Sequence, residues 1–281
     1  ALEGGKGKRL KATAILPHEL TVKAEQRVGS AGSKKGKEED LMHALQENLL
    51  WRSMVQGCIA AAGQGAGGLM VPVCDVSGSM TGTPMEVSIA LSLLLAESAP
   101  KDSPWHGKMF TFHSKPRLVA VPGIPVFEST ANSEEEQSGD SLRKQLGELG
   151  ERVKLVRGIE WGGNTDVDAV FEQLLATAVA HELTPESVAR MSVVIFSDME
   201  FDAARGNSAN VPWETAHEAI CHKFRDAGFE APPTLVYWNL RASRSVPVDD
   251  GSVRGVVLMA GFSAGMLQAF LRGGVAVQGE E

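Results

Sequence analysis

In Leu69-Met70-Val71-Pro72-Val73-Cys74-Asp75-Val76-Ser77-Gly78-Ser79 an unbroken apolar run ends abruptly in a carboxylate and two hydroxyls. Apolar residues without alternation mark a strand buried on both faces, as in the middle of a parallel sheet. Gly78 lets the chain turn sharply after the strand. An apolar helix is predicted next, from Pro84 to Ser98, with proline at its start where the missing N–H costs nothing.

Working outward, the same alternation continues. Lys108 to Phe112 and Leu118 to Val121 read as strands, and a charged helix follows the acidic stretch Ser133 to Asp140 and runs to about Val156. Asp166 to Ala180 reads as a helix, Met191 to Phe196 as the most strand-like run, and Trp213 to Ala227 as a helix. Thr234 to Trp238 and Val253 to Met259 are predicted strands, and Ala264 to Leu271 a closing helix. Strands alternating with helices predict an α/β fold: a doubly wound, mostly parallel six-stranded sheet with helices on both faces, Rossmann-like in layout. The expected organisation is a basic, partly flexible arm over 1–38, a helical extension over 39–62, the α/β domain over 69–271 and a tail over 272–281. Within the arm, Gly29 to Lys37 reads as a Gly/Ser/Lys linker.

Composition narrows the function. With 281 residues and 43% hydrophobic content the chain has material for one sizeable core. Lys plus Arg is 27 and Asp plus Glu is 35, a net charge of −8, which argues against a chain-wide grip on nucleic acid or anionic membranes. Residues 1–38 hold nine basic and four acidic side chains, net +5, so the rest carries −13. Cys58, Cys74 and Cys221 form no CxxC pair, so a reducing, intracellular compartment is expected, cytoplasmic or nuclear. No apolar run reaches the length of a membrane span.

In open parallel sheets ligands bind at the carboxyl ends of the strands, where the strand order reverses. Asp75, Ser77 and Ser79 follow the first strand, and three hard oxygens on one loop suit a hard divalent cation such as Mg²⁺. One carboxylate and two hydroxyls would hold such an ion weakly, so further oxygens are expected from elsewhere. Val193 to Phe196 runs into Ser197-Asp198, a second carboxylate at the same edge, and Gly162-Gly163-Asn164-Thr165-Asp166 offers another hydroxyl before a helix.

Together these residues resemble the metal-ion-dependent adhesion site of von Willebrand factor A domains. Asp75-Val76-Ser77-Gly78-Ser79 matches the D-x-S-x-S signature, Thr165 resembles the distal threonine and Asp198 the last carboxylate, over about residues 69–271. The chain is also similar to an uncharacterised plant and giant-virus family whose C-terminal half is such a domain. Trp161-Gly162-Gly163-Asn164-Thr165, Ser197-Asp198-Met199, Trp238-Asn239-Leu240-Arg241 and Gly261-Phe262-Ser263 carry that likeness, and Leu16-Pro17-His18-Glu19-Leu20 resembles the tail of its preceding helical region. That family is similar in layout to the Ro autoantigen, where RNA binding belongs mainly to a helical ring absent from these residues. RNA is therefore expected only through a missing N-terminal region.

The resemblance implies Mg²⁺, or Mn²⁺ or Ca²⁺, with Ser77 and Ser79 as direct ligands. Thr165 would ligate directly or through water, and Asp75 and Asp198 often through water. One position stays open for a partner protein's Asp or Glu carboxylate, so the expected function is metal-dependent protein binding, not catalysis. The alternatives are a metal-dependent phosphoester hydrolase at the same loops, a docking domain whose ion only stiffens the loops, and an accessory domain of a Ro-like RNA-associated protein.

Rival motifs fare worse. Gly261-Phe262-Ser263-Ala264-Gly265 fits a nucleophile elbow, but no His or Asp follows it over residues 266–281, so it reads as a turn. Gly63-Gln64-Gly65-Ala66-Gly67-Gly68 fits G-x-G-x-x-G yet precedes a strand and opens no helix, so it reads as a connector. Glu200 and Asp202 are read as loop-solvating, and Trp161, Trp213 and Trp238 as packing.

Overall fold

A computed structural model describes residues 15–30, 37–64, 68–112, 115–122, 139–159, 166–198, 213–241, 255–261 and 264–273. Six strands form one sheet: β1 (Met70–Cys74), β2 (Lys108–Thr111), β3 (Leu118–Ala120), β4 (Ser192–Ser197), β5 (Thr234–Asn239) and β6 (Val256–Ala260). Their order is β3-β2-β1-β4-β5-β6; every neighbouring pair is parallel except β2 with β3. The helices are α1 (Pro17–Ser30), α2 (Lys37–Gln64), α3 (Thr83–Ser98), α4 (Gly139–Gly158), α5 (Val167–Ala180), α6 (Pro185–Ala189), α7 (Trp213–Asp226) and α8 (Ala264–Gly273).

Period-two alternation divides the sheet's side chains between two cores. Cys74, Phe196 and Trp238 stand side by side in register on one face, with residues of α1, α2, α3, α4 and α8 packed over them. Val73, Ile195 and Tyr237 make the matching row on the other face, covered by α5, α6 and α7. The central strands β1 and β4 are buried at every position, which is why their sequences are apolar without alternation. Pro72 is tolerated in β1 because β2 pairs only with Val73 and Cys74, so the ladder on that side begins just after the proline.

The sequence-based elements match the observed ones within a few residues, with two exceptions. The short helix α6 falls in a stretch the reading left unassigned; Thr184 caps it, accepting from Ser187 N at 3.3 Å, with Pro185 at its first position. The larger correction is α1, a helix inside the stretch read as a basic arm. Its Leu20, Thr21 and Ala24 are buried, and it packs on α3 and α4. The Gly- and Lys-rich flanks of that stretch dominated its composition and masked a single buried helical stripe.

The expected boundary at residue 69 does not divide the core. Trp51, Met54, Val55, Cys58 and Ala61 of α2 belong to the same buried cluster as Met70 and Cys74 of β1. Forked ion pairs fasten the layer: Arg27 Nε and Nη2 donate to Glu47 at 3.0 and 3.1 Å, and Arg157 Nε and Nη2 donate to Glu25 at 2.8 and 2.9 Å. Beneath them the Glu97 carboxylate accepts from Trp51 Nε1 at 3.0 Å and pairs with the buried Arg152. Burial pushes the Glu97 carboxyl up from its ordinary value, and the Arg152 guanidinium opposes the rise. Removing one partner from such a pair costs about 3–5 kcal/mol because it strands a buried charge.

Gly68, the last residue of the presumed connector, is there for close approach. A Cβ at this position would lie 1.6 Å from the carbonyl oxygen of Arg190, whereas one at Gly63 would meet nothing within 4 Å. Gly68→Ala is therefore expected to lower stability by about 1–3 kcal/mol through forced backbone movement. Gly63→Ala, inside α2, should leave stability unchanged or raise it by roughly 0.5–1 kcal/mol. Urea unfolding of the two variants beside the parent checks the contrast; equal effects would contradict the close contact.

Candidate metal centre

The strand order reverses between β1 and β4, and the two carboxylates singled out from sequence follow those two strands. Asp75 N–H donates to Phe196 C=O at 3.2 Å, so the ladder continues one residue past β1 and holds Asp75 against the end of β4. Asp75 and Asp198 are each 1% exposed. The Asp75 carboxylate accepts from Ser77 N–H through Oδ1 at 2.8 Å and from the Ser197 hydroxyl through Oδ2 at 2.6 Å. Burial pushes its carboxyl up from the ordinary range; the bonds from Ser197 and Ser77 oppose this, and the negative charge of Asp198 adds to it.

Past Asp75 the chain makes a 3₁₀ turn, Gly78–Met80, closed by Met80 N–H to Ser77 C=O at 3.0 Å and Thr81 N–H to Gly78 C=O at 3.2 Å. This turn swings the Ser77 and Ser79 side chains to the same side, with their hydroxyl oxygens 3.0 Å apart at the surface. Gly82, at φ +95°, then redirects the chain into α3, a conformation that a side chain would resist. So four of the five expected residues, Asp75, Ser77, Ser79 and Asp198, stand at one sheet edge, the carboxylates buried and the hydroxyls above them.

Thr165 lies outside the described residues, as do Trp161, Glu200, Asp202 and Ser263. Its neighbour Asp166 caps α5, accepting from Ala169 N–H at 3.0 Å. A helix that feeds a parallel strand runs back across the sheet, so α5, which leads to β4, starts at the same carboxyl edge. Trp238 is packing, as expected: its ring is fully buried between Phe196 and Phe270, and its Nε1–H donates to Gly261 C=O at 2.5 Å.

Sequence reasoning missed the residues that brace the edge. Ser88 of α3 is fully buried; its hydroxyl donates to Phe196 C=O at 3.2 Å and accepts from Asp75 N–H at 3.1 Å. A serine inside an otherwise apolar helix was the available signal. Ser197 was visible only as the residue before Asp198, yet it fixes the Asp75 carboxylate. Arg241, by contrast, was already in the Trp238-Asn239-Leu240-Arg241 motif; it reaches the same loop from beyond β5 through an exposed contact, with Nη2 3.4 Å from Thr81 C=O. Among the described residues no three His, Cys, Asp or Glu side chains assemble as a metal cluster, so the edge offers two carboxylates plus hydroxyls and nothing softer. No helix of the described residues is long and apolar enough to cross a membrane.

The chain belongs to the family described as a domain of unknown function (DUF7788), which matches residues 70–140 and 131–281. It is 34% identical over 201 residues to the "Uncharacterized protein L728" of Acanthamoeba polyphaga mimivirus, an alignment covering 71% of this chain. The chain spans only 30% of the length of that relative. A giant-virus relative agrees with the likeness noted from sequence. No solved structure matches.

Replacing Ser197 tests the brace. Ser197→Ala leaves a buried oxygen of Asp75 without its shortest hydrogen bond, and is expected to cost about 1–3 kcal/mol. The midpoint of urea unfolding should fall with unchanged slope; an unchanged midpoint would mean that this hydrogen bond does not stabilise the edge.

Proposed function

We propose that the carboxyl edge of the sheet holds a divalent cation, Mg²⁺ or Mn²⁺ or Ca²⁺, in the manner of a von Willebrand factor A domain. The module would use the ion to bind a protein partner through an Asp or Glu carboxylate. The observation that carries this reading is the hydroxyl pair. Neighbouring ligands of an octahedral Mg²⁺, at 2.0–2.1 Å each, stand roughly 2.9 Å apart, and Ser77 and Ser79 hold their oxygens at 3.0 Å. Behind them Asp75 and Asp198 bring two buried carboxylates together. A cation would relieve that crowding of negative charge.

The residues divide the task. Ser77 and Ser79 would contact the ion directly, on the exposed side. Both oxygens of Asp75 already accept hydrogen bonds, from Ser77 N–H and Ser197 Oγ, which suits an indirect role: neutralising the ion and fixing the serine loop. Asp198 would act alongside it, and Thr165, from the loop before α5, would add a hydroxyl. When bound, the ion supplies a Lewis-acidic point for an anionic oxygen. Two protein carboxylates against a divalent charge leave it receptive to a third.

Binding is preferred to hydrolysis in this reading because the Ser77 and Ser79 hydroxyls, 3.0 Å apart, suit two neighbouring ligands of one ion.

Titration with Mg²⁺ is expected to show one ion per chain and to raise the melting temperature as the concentration passes the dissociation constant. Asp75→Ala should abolish that shift and Ser77→Ala with Ser79→Ala should weaken it strongly, whereas Ser263→Ala should leave it alone. Equal metal binding by wild type and Asp75→Ala in isothermal titration would overturn the assignment.

Thr165→Ala separates the ion from the partner. Removing one oxygen of several while both carboxylates remain should weaken an acidic peptide more than it weakens Mg²⁺. Peptide binding measured with Mg²⁺ and with chelator checks this, and equal binding in chelator would make the ion merely structural.

A further inference from the structure

Arg241 follows β5 at the same carboxyl edge as the proposed site, and it supplies no oxygen to the ion. Its backbone position is fixed twice. Leu240 N–H donates to Ser197 C=O at 2.9 Å, holding the end of β5 against the end of β4, and Arg241 N–H donates to the Asn239 side chain at 2.8 Å, turning the chain back. From there Nη2 reaches Thr81 C=O at 3.4 Å. Thr81 closes the turn that carries the two serines, with its N–H 3.2 Å and its hydroxyl 2.6 Å from Gly78 C=O. The guanidinium is thereby held over one end of the loop whose middle presents Ser77 and Ser79.

That contact uses one of the five N–H donors of an arginine. The side chain remains partly exposed, and among the described residues no carboxylate pairs with it. The charges of Asp75 and Asp198 offset those of a divalent ion, so this guanidinium is a further fixed positive charge beside it, on a chain whose total is −8. A fixed cation beside a bound cation is unfavourable until an anion sits between or across them. The planar fork of arginine matches a carboxylate, and the residue it reaches, Thr81, lies beyond Ser79 on the same loop, so an acidic side chain next to the one on the ion would suit it.

We propose that Arg241 is a second anchor for an acidic partner segment, which places one carboxylate on the ion and a neighbouring acidic side chain on the guanidinium. The proposal rests on the cation reading above and adds to it the class of partner: a protein segment bearing paired acidic residues.

Two probes test it, short Gly/Ser peptides carrying either one Asp or two Asp separated by one residue, with Mg²⁺ present. Wild type should bind the two-Asp peptide about five-fold more tightly than the one-Asp peptide, in line with a partly exposed ion pair. The preference should shrink as salt is raised. Arg241→Gln should remove the preference while leaving the Mg²⁺ affinity and the melting temperature unchanged, and Arg241→Lys should retain part of it. Binding of Mg²⁺ with no preference for the two-Asp peptide, or an undiminished preference in Arg241→Gln, would overturn the second anchor and leave the ion site standing. Failure of wild type to bind Mg²⁺ at all would instead overturn the ion site, and the anchor with it.

Discussion

The hydrogen bond from the Ser197 hydroxyl to the Asp75 carboxylate joins the ends of the two parallel strands between which the strand order reverses. Burying a carboxylate is costly unless it is hydrogen-bonded, and here two are buried within interacting range. The backbone answers that cost locally. Ser77 N–H turns back to Asp75, Ser88 ties the amide of Asp75 to the carbonyl of Phe196, and Leu240 adds a rung from β5 to Ser197. The position of the two exposed serines follows from this brace. Loosening it would move the hydroxyls before it disturbed the sheet, because β1 and β4 are held independently by five registered pairs and two apolar faces.

The second organising feature is the helical layer before β1. α1 and α2 do not sit outside the α/β unit; they complete one of its faces, with α2 packed on α3 and α8 and α1 on α3 and α4. The Glu97, Trp51 and Arg152 contact joins α2, α3 and α4 beneath the surface ion pairs. Since α3 also carries Ser88, the same helix is fixed by the N-terminal layer at one end and braces the carboxyl edge nearer its other end. The family match begins at β1, at residue 70, whereas the packed core of the described residues extends back to α1.

Much of this was legible in the sequence, and the reason is that local signals carried it. Uninterrupted apolar runs identified β1 and β4, and the abrupt polar ends of those runs placed Asp75, Ser77, Ser79 and Asp198 at the carboxyl edge. What stayed hidden depends on contacts between distant segments. Ser88 looked like a tolerated serine in an apolar helix, because its partner Phe196 lies 108 residues away. The pairing of Glu97 with Arg152 could not be read locally, because the two lie 55 residues apart. Arg241 was visible only as the last residue of the Trp238-Asn239-Leu240-Arg241 motif, and its contact with Thr81, 160 residues earlier, was not. α1 was obscured for a different reason: one buried stripe of Leu20, Thr21 and Ala24 is a weak periodic signal between glycine- and lysine-rich flanks.

The central claim is that the two serine hydroxyls and the buried carboxylates form a cation site. The most direct measurement is a crystal structure grown with Mn²⁺, with diffraction collected near the manganese absorption edge. The account predicts one anomalous peak per chain at the carboxyl edge, about 2.1 Å from the Ser77 and Ser79 oxygens, with Asp75 and Asp198 behind it. A peak elsewhere on the molecule, or no peak at this edge at millimolar Mn²⁺, would contradict it.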